Sequence, residues 1–314
     1  MSTRCAVCGG ASGPTLLRAR DRRHGVGGEH ALVRCRDCGL VRTAPWPEDL
    51  ASAYPPGEYM NHTARTDPAS RLFMRVMERT ATRPRTRGSR AALALVPAAD
   101  LGAPLRPGAR VLDVGCGTGH AVAAMRAAGL DAHGIEPDPE SVRIANEAGL
   151  STVSLGTLDE DGPAAALRWD VVRFWHTLEH TPTPLAALER ARAALVPGGR
   201  VVVGVPNFGS VNRRVFRGRW DGLEIPRHLH HFERSSLTGL LRRAGLAVDR
   251  VRTVPILGVT AGSLDAATRR GTLQRGGPLR SALQLAAHPL ELAVAAAGGG
   301  DALLVHARRP GEAR

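Results

Sequence analysis

Between Arg110 and Ala307 short apolar runs alternate with helical periodicities, the arrangement that predicts a largely parallel sheet with crossover helices. Val111 to Val114 reads as a first strand. Glycines at 115, 117 and 119 follow as a tight turn, and Ala121 to Met125 opens a helix. Ala132–Ile135, Thr152–Leu155, Trp169–Trp175 and Arg200–Val205 predict the second to fifth strands, and Pro197-Gly198-Gly199 ends the helix before the fifth. Ser235 to Ala244 predicts a helix stopped by Gly245. Leu246–Val254 and Asp301–Ala307 predict strands six and seven, separated by roughly forty residues, unusually long for a loop. Within that interval Leu279 to Ala297 is apolar, Ala-rich and interrupted by Pro289, and is expected to be a substrate lid or a dimer-forming helix. Upstream, Leu72, Phe73, Val76, Met77, Leu93, Leu95 and Val96 predict one or two helices between Pro68 and Val96 with arginine on the outer face. The run Arg83 to Arg87, broken by Pro84, is expected to be a solvated turn.

Composition adds little to this α/β pattern but excludes some classes. A chain of 314 residues with 43% hydrophobic content can bury a substantial core. All 42 Lys+Arg positions are Arg, and the formal charge is +13. With abundant Ala and Gly this reads as a GC-rich coding bias, so the charge is discounted as a sign of nucleic-acid binding. It still favours anionic partners such as phosphorylated or nucleotide-linked small molecules. The start, MSTRCAVCGG, has no apolar region of a secretory signal, and no apolar run approaches a membrane span. The expected compartment is the cytoplasm.

Reduced cysteines there favour metal over disulfides. Cys5-Ala6-Val7-Cys8-Gly9 and Cys35-Arg36-Asp37-Cys38-Gly39 form two CxxCG knuckles, enough for one four-sulfur structural zinc site. The segment between them is too polar to build a core, so the ion would supply the folding energy. A redox CxxC accounts for one pair only and lacks the βαβ context it needs. Four Cys ligands leave no open catalytic position.

The GxGxG turn differs from the dinucleotide GxGxxG by one residue, and Asp113 stands two positions before its first glycine. Glu136 lies 21 positions after Gly115, at the end of the second strand, where an acid is placed to hydrogen-bond a ribose diol. LDVGCGTGH resembles the first motif of class I S-adenosylmethionine-dependent methyltransferases. The resemblance runs from Arg110 to Ala307 and implies a Rossmann-like seven-stranded sheet with S-adenosylmethionine as cofactor. It implies that Gly115, Gly117 and Gly119 lie against the methionine part and that Asp113 holds the turn and the cofactor's amino group. Thr157 and Leu158 would lie against the adenine, as would Asp159.

The segment Trp175-His176-Thr177-Leu178-Glu179-His180 resembles the strand-four signature of small-molecule methyltransferases, where it faces both methyl donor and acceptor. The same letters spell HxxEH, an inverted zinc-protease motif, but that motif needs one long helix and here follows a strand and precedes Pro182 and Pro184. Ubiquinone-biosynthesis O-methyltransferases carry an acid at the first of these positions and Glu-His at the last two, and can hold a divalent ion there. This chain has His176 in place of the acid. Beyond strand five, residues 206–232 form a long connection rich in aromatics and histidine, including His228, His230 and His231. A loop at the carboxyl end of a parallel strand is where α/β domains place substrate, and imidazole titrates near neutrality. A general base is therefore expected among His176, His180, His228, His230 and His231, with Glu179 beside them.

The expected organisation is a zinc ribbon over 1–42, a linker with N-terminal helices over 43–109, and a methyltransferase domain over 110–314 with a helical insertion or lid at 255–297. Tyr54 and Tyr59 in the proline-rich linker would cover the site or dock the ribbon. The ribbon joined to this domain also resembles sugar C-methyltransferases of antibiotic biosynthesis. The expected function is methyl transfer to oxygen or carbon of a small molecule. Rival expectations are a zinc-ribbon RNA base methyltransferase, disfavoured by only 4% Phe, Trp and Tyr, and a non-catalytic zinc-ribbon interaction protein, disfavoured by the intact Asp113, glycines and Glu136.

Overall fold

A parallel strand covered on both faces must be apolar along its whole length, and several runs of this chain meet that condition. The computed structural model describes residues 4–22, 24–25, 28–47, 49–54, 68–158, 167–268 and 278–311. Three N-terminal strands, β1 (Ser12–Arg20), β2 (Glu29–Cys35) and β3 (Val41–Ala44), are followed by β4 (Arg110–Val114), β5 (Asp131–Glu136), β6 (Val153–Leu155), β7 (Trp169–Trp175), β8 (Leu195–Pro206), the two-residue β9 (His230–His231), β10 (Ala247–Val254) and β11 (Ala302–Arg308). The helices are α1 (Pro68–Thr80), α2 (Arg87–Leu95), α3 (His120–Ala127), α4 (Pro139–Glu147), α5 (Pro184–Ala194), α6 (Val211–Phe216), α7 (Arg234–Arg243), α8 (Val259–Thr268) and α9 (Pro278–Ala296).

The seven-stranded sheet runs β10-β11-β8-β7-β4-β5-β6, with β11 antiparallel to both neighbours and β8-β7-β4-β5-β6 parallel. This is the Rossmann-like seven-stranded sheet that the resemblance implied. One face packs on α5 and α7 through Ala187, Leu188, Leu237 and Leu241, and the other on α1 and α3 through Phe73, Met77, Val122 and Met125. The chain leaves β4 toward one edge of the sheet and returns to its other side as β7, which makes their carboxyl ends the topological switch point where such sheets bind ligands.

Three features differ in detail from the sequence pattern. The turn at Pro197-Gly198-Gly199 does not precede the fifth strand but lies within β8, where the register with β7 jumps from Trp169↔Leu195 to Val171↔Arg200. The extra residues are absorbed as a bulge, which glycine permits at its positive φ of 74° in Gly198. The connection 206–232 is not all loop: β9 pairs antiparallel with β3, so a four-stranded sheet β1-β2-β3-β9 joins the N-terminal segment to that connection. Its strand β3 crosses the expected boundary at residue 42. Tyr59, Asp159 and part of the 255–297 insertion lie outside the described residues. The described part of that insertion packs under the loop, where Asn212 Nδ2 donates to Thr260 Oγ1 at 2.9 Å and the Asp221 N–H to Ser263 Oγ at 2.9 Å.

The N-terminal sheet is welded on by charge as well as by pairing. Arg34 forms a two-pronged bond with Glu233 at 2.8 and 3.0 Å. Arg227, fully buried, donates to both oxygens of Asp21 at 2.9 and 3.0 Å and to the Ala53 carbonyl at 3.1 Å. A buried guanidinium is tolerated only while its partner remains. Asp21→Asn should therefore destabilise the fold by about 3–5 kcal/mol in urea unfolding, and Asp21→Leu combined with Arg227→Met should restore part of that loss. Equal stability of wild type and Asp21→Asn would remove this pair from the account.

Candidate active site

At the end of β4 the three glycines of the turn adopt φ of 69°, 56° and 75°, a left-handed backbone that favours glycine. A Cβ on Gly115 would come within 2.5 Å of Thr177 Cγ2, and one on Gly119 within 2.7 Å of Leu150 Cδ1. The turn is pinned from β5 by Glu136, whose carboxylate accepts from the Gly117 N–H at 2.8 Å and the Asp138 N–H at 3.1 Å. Burial pushes the Glu136 carboxyl above its ordinary value, against these two donors. Each oxygen retains a second lone pair for a donor such as a ribose hydroxyl.

Asp113 sits opposite Arg173 across the β4–β7 register, and their side chains, both buried, meet at 2.6 Å. Arg173 also lies over the Trp175 ring, 5.2 Å from its centroid. Sequence reasoning read Arg173 as a strand residue only. Its signal was visible, since a charge inside the run Trp169–Trp175 must find a buried partner. Leu158 is buried in the core with Val114 and Ile135, while Thr157 is half-buried. Trp175 leans onto Gly204 of β8, where a Cβ would meet the indole at 2.3 Å.

The two halves of the site abut through Thr177. Its hydroxyl donates to the Val114 carbonyl at 2.8 Å, directly against Gly115. His176, just before it, has φ of 53°, a conformation that costs a non-glycine residue about 1–3 kcal/mol and concentrates at functional sites. Its Nδ1 lies 3.2 Å from Glu179 Oε1. A carboxylate only accepts, so Nδ1 donates, and in the neutral ring the lone pair then lies on Nε2. Glu179 is wholly buried in a short 3₁₀ turn, Leu178–His180, and its Oε2 has no partner.

From the opposite side come His228 and Tyr54. His228 Nδ1 bonds the Gly222 carbonyl at 3.1 Å and its Nε2 lies 4.0 Å from Glu179 Oε1 and 3.6 Å from Glu224 Oε2. His180 Nδ1 bonds the Arg227 carbonyl at 3.1 Å and meets the Tyr54 hydroxyl at 2.9 Å. Burial pushes the Tyr54 phenol up, so it stays protonated at neutral pH. Thus the structure gathers His176, Glu179, His180 and His228 at one place and adds Tyr54 and Glu224, which the motifs did not single out as site residues.

His230 and His231 fall elsewhere. They form β9 and are buried in the seam with β3, His230 with its ring edge-on to Trp46 at 5.7 Å. His231 Nε2 bonds Thr43 Oγ1 at 3.0 Å and its ring packs on Phe208. Burial lowers His231 to about 3 and His230 to about 4, so neither takes up a proton near neutrality. Their place is that of a brace, and the expectation of His231 as a base loses its physical ground.

At the N-terminus Cys5, Cys8, Cys35 and Cys38 bring their sulfurs together, with Cys5–Cys38 at 3.7 Å and Cys8–Cys35 at 3.4 Å, and all four thiols are free of disulfides.

The chain is similar to known proteins. A family model described as a methyltransferase domain matches residues 85–251, more than half of the chain. The chain belongs to the class I S-adenosylmethionine-dependent methyltransferases. It is similar to the ubiquinone biosynthesis O-methyltransferase of Cereibacter sphaeroides, 34% identical over 163 residues that cover 48% of this chain and 66% of that one. The enzyme of the same name from Bordetella avium is 33% identical over 161 residues, covering 46% and 65%. The match thus spans just under two thirds of the length of these curated relatives. Among solved structures, the [4+2]-cyclase SpnF is similar at 24% identity with a TM-score of 0.46, covering 81% of this chain and 85% of that one. An S-adenosylmethionine-dependent methyltransferase from Mesorhizobium loti is similar at 19% identity with a TM-score of 0.43, covering 65% and 94%. No described helix is long and apolar enough to cross a membrane.

The depressed His231 has a consequence for stability against pH. The unfolded chain takes up this proton near the ordinary value of 6.5 and the folded chain only near about 3, so the stabilisation is complete above 6.5 and is lost as pH falls. Between those values this group alone should remove about 1.4 kcal/mol per pH unit. Urea midpoints measured across that range should fall more gently for His231→Gln than for wild type, and parallel slopes would count against a neutral, buried His231.

Proposed function

We propose that the protein transfers a methyl group from S-adenosylmethionine to an oxygen or carbon of a small-molecule acceptor, with His176 as the general base. The observation that carries the reading is the His176–Glu179 pair at the carboxyl end of β7, one residue from the Thr177 contact with the glycine turn. Bound at that turn, S-adenosylmethionine would supply an electrophilic sulfonium methyl, the sulfur leaving with the bonding pair. Gly115, Gly117 and Gly119 would let the backbone approach the methionine part, and Glu136 would hold the ribose while fixing the turn. Glu179 holds the His176 ring so that Nε2 is the free lone pair, and the strained backbone keeps that ring at the strand end. His176 would take the acceptor's proton as the new bond forms. Most of the acceleration in such a site comes from alignment, with proton transfer adding about 10²–10⁴-fold.

The curated relatives are O-methyltransferases of ubiquinone biosynthesis, which supports oxygen as the acceptor atom. The excess of arginine suits an anionic, phosphorylated or nucleotide-linked acceptor. The four cysteines are assigned to structural zinc. A tetrahedral ion with Zn–S bonds near 2.3 Å separates its sulfurs by about 3.8 Å, close to the distances seen.

His176→Asn tolerates the left-handed backbone and removes the imidazole. It should lower methyl transfer to an acceptor by about 10²–10⁴-fold while leaving S-adenosylhomocysteine affinity, read by calorimetry, within a few-fold of wild type. Unchanged turnover would end the case for His176 as base. For the ribbon, elemental analysis should find one zinc per chain that Cys35→Ser loses, together with a lower unfolding temperature; a metal-free wild type of equal stability would refute the assignment.

A further inference from the structure

The resemblance to ubiquinone-biosynthesis O-methyltransferases implies a divalent ion held by an acid at position 176 together with Glu179 and His180. That donor set does not fit here. Residue 176 is a histidine, and its Nδ1, carrying the proton, is bonded to Glu179 Oε1 instead of offering a lone pair. The set that folds together is a different one: Glu179, His180 and His228 each bring a ligand atom within 4.8 Å of the others.

We infer that this chain has moved its third ligand from the strand-end motif to the acceptor loop, so that Glu179, His180 and His228 bind one divalent transition-metal ion. Three observations carry this. Glu179 Oε2 is a wholly buried carboxylate oxygen without a partner, a cost that an ion removes. Each imidazole holds its Nδ1 within hydrogen-bond reach of a main-chain carbonyl, His180 at 3.1 Å from Arg227, beside the Tyr54 hydroxyl at 2.9 Å, and His228 at 3.1 Å from Gly222. Ligating histidines are commonly fixed in this way, by a hydrogen bond from the ring nitrogen that does not face the metal. Finally, the carbonyl that orients His180 belongs to the residue whose guanidinium is locked to Asp21, so the orienting group is itself held by a buried ion pair.

Two imidazoles and one carboxylate make a nitrogen-rich set, suited to Zn²⁺, Fe²⁺ or Co²⁺ and poorly suited to Mg²⁺, which prefers oxygen. Three protein ligands leave room for a water or an acceptor oxygen. The inference places the ion on the acceptor side of the proposed methyltransferase site and to that extent rests on that reading. The ion's chemistry is also separable from that of the ribbon, because one site offers four sulfurs and the other none.

The test is a Co²⁺ titration of the full-length, metal-free chain under reducing conditions. Two classes of binding are expected. One shows intense sulfur-to-metal charge-transfer bands and is lost in Cys35→Ser. The other shows only weak ligand-field absorption, persists in Cys35→Ser and in His176→Gln, resists excess Mg²⁺, and weakens at least about tenfold in His228→Gln. A single thiolate class in the wild type overturns the inference. So does a second class that His176→Gln abolishes and His228→Gln keeps. Should His228→Gln fail to fold, pulsed electron paramagnetic resonance of Mn²⁺ on the wild type counts the imidazole nitrogens at the second site: two support the inference, and one or none overturns it. Calorimetry with S-adenosylhomocysteine separates the two readings, since a chain that binds it but no second ion defeats the inference alone, and a chain that binds the ion but not S-adenosylhomocysteine defeats the proposed function alone.

Discussion

A guanidinium removed from water must be neutralised where it lies, and the solution found for Arg227 organises the stretch that carries His228 and receives His180. Its partner Asp21 follows β1, 206 positions away in sequence. Because Arg227 is held there, its own carbonyl is fixed to receive His180, and His228 follows as the next residue. The Thr43 hydroxyl of β3 donates to the His228 carbonyl at 2.6 Å, adding a second tie from the N-terminal segment to the same stretch. The four-cysteine segment is therefore continuous with the wall of the site. Cys5, Val7, Cys35 and Leu40 share one apolar core with Leu237, Leu240 and Leu241 of α7.

The two halves of the site are built by different physics. Around the glycine turn the determinants are backbone: three left-handed glycines, two N–H groups satisfied by Glu136, and the close approach of Thr177. Beyond Thr177 they are buried charges and rings whose partners come from three separate stretches, around Tyr54, His176–His180 and Glu224–His228. A backbone site tolerates much change around it, provided the glycines remain. A site of buried ionic and imidazole groups is coupled, so that altering one member leaves others unsatisfied.

This difference explains what the sequence made legible. Gly115, Gly117, Gly119 and Glu136 could be picked out because their spacing reflects local geometry, a strand end, a turn and the next strand end. The parallel strands could be picked out because burial on both faces forces an apolar run. Asp21 and Arg227 could not be placed, since nothing local distinguishes a buried charge pair from solvated residues in an arginine-rich chain. His230 and His231 misled for the same reason. A histidine-rich loop suggests proton transfer, and only the pairing of β9 with β3 shows that two of its imidazoles are sealed in a seam. The loop's three histidines, within four positions of one another, thus divide: His230 and His231 lie in the short strand as a brace, and His228, before it, faces Glu179 and Glu224.

The β3–β9 pairing also bears on how the molecule is made. The N-terminal strands emerge first during synthesis, but the fourth strand of their sheet, and the arginine that neutralises Asp21, arrive only after most of the seven-stranded sheet has been threaded. Until then β3 has an unpaired edge and Asp21 lacks its buried partner. Closure over such a separation is slow, because the entropy of a long loop is lost before its contacts form. The stretch around Arg227 and His228 would then be among the last parts of the protein to set, formed when Asp21 meets a loop synthesised about two hundred residues later.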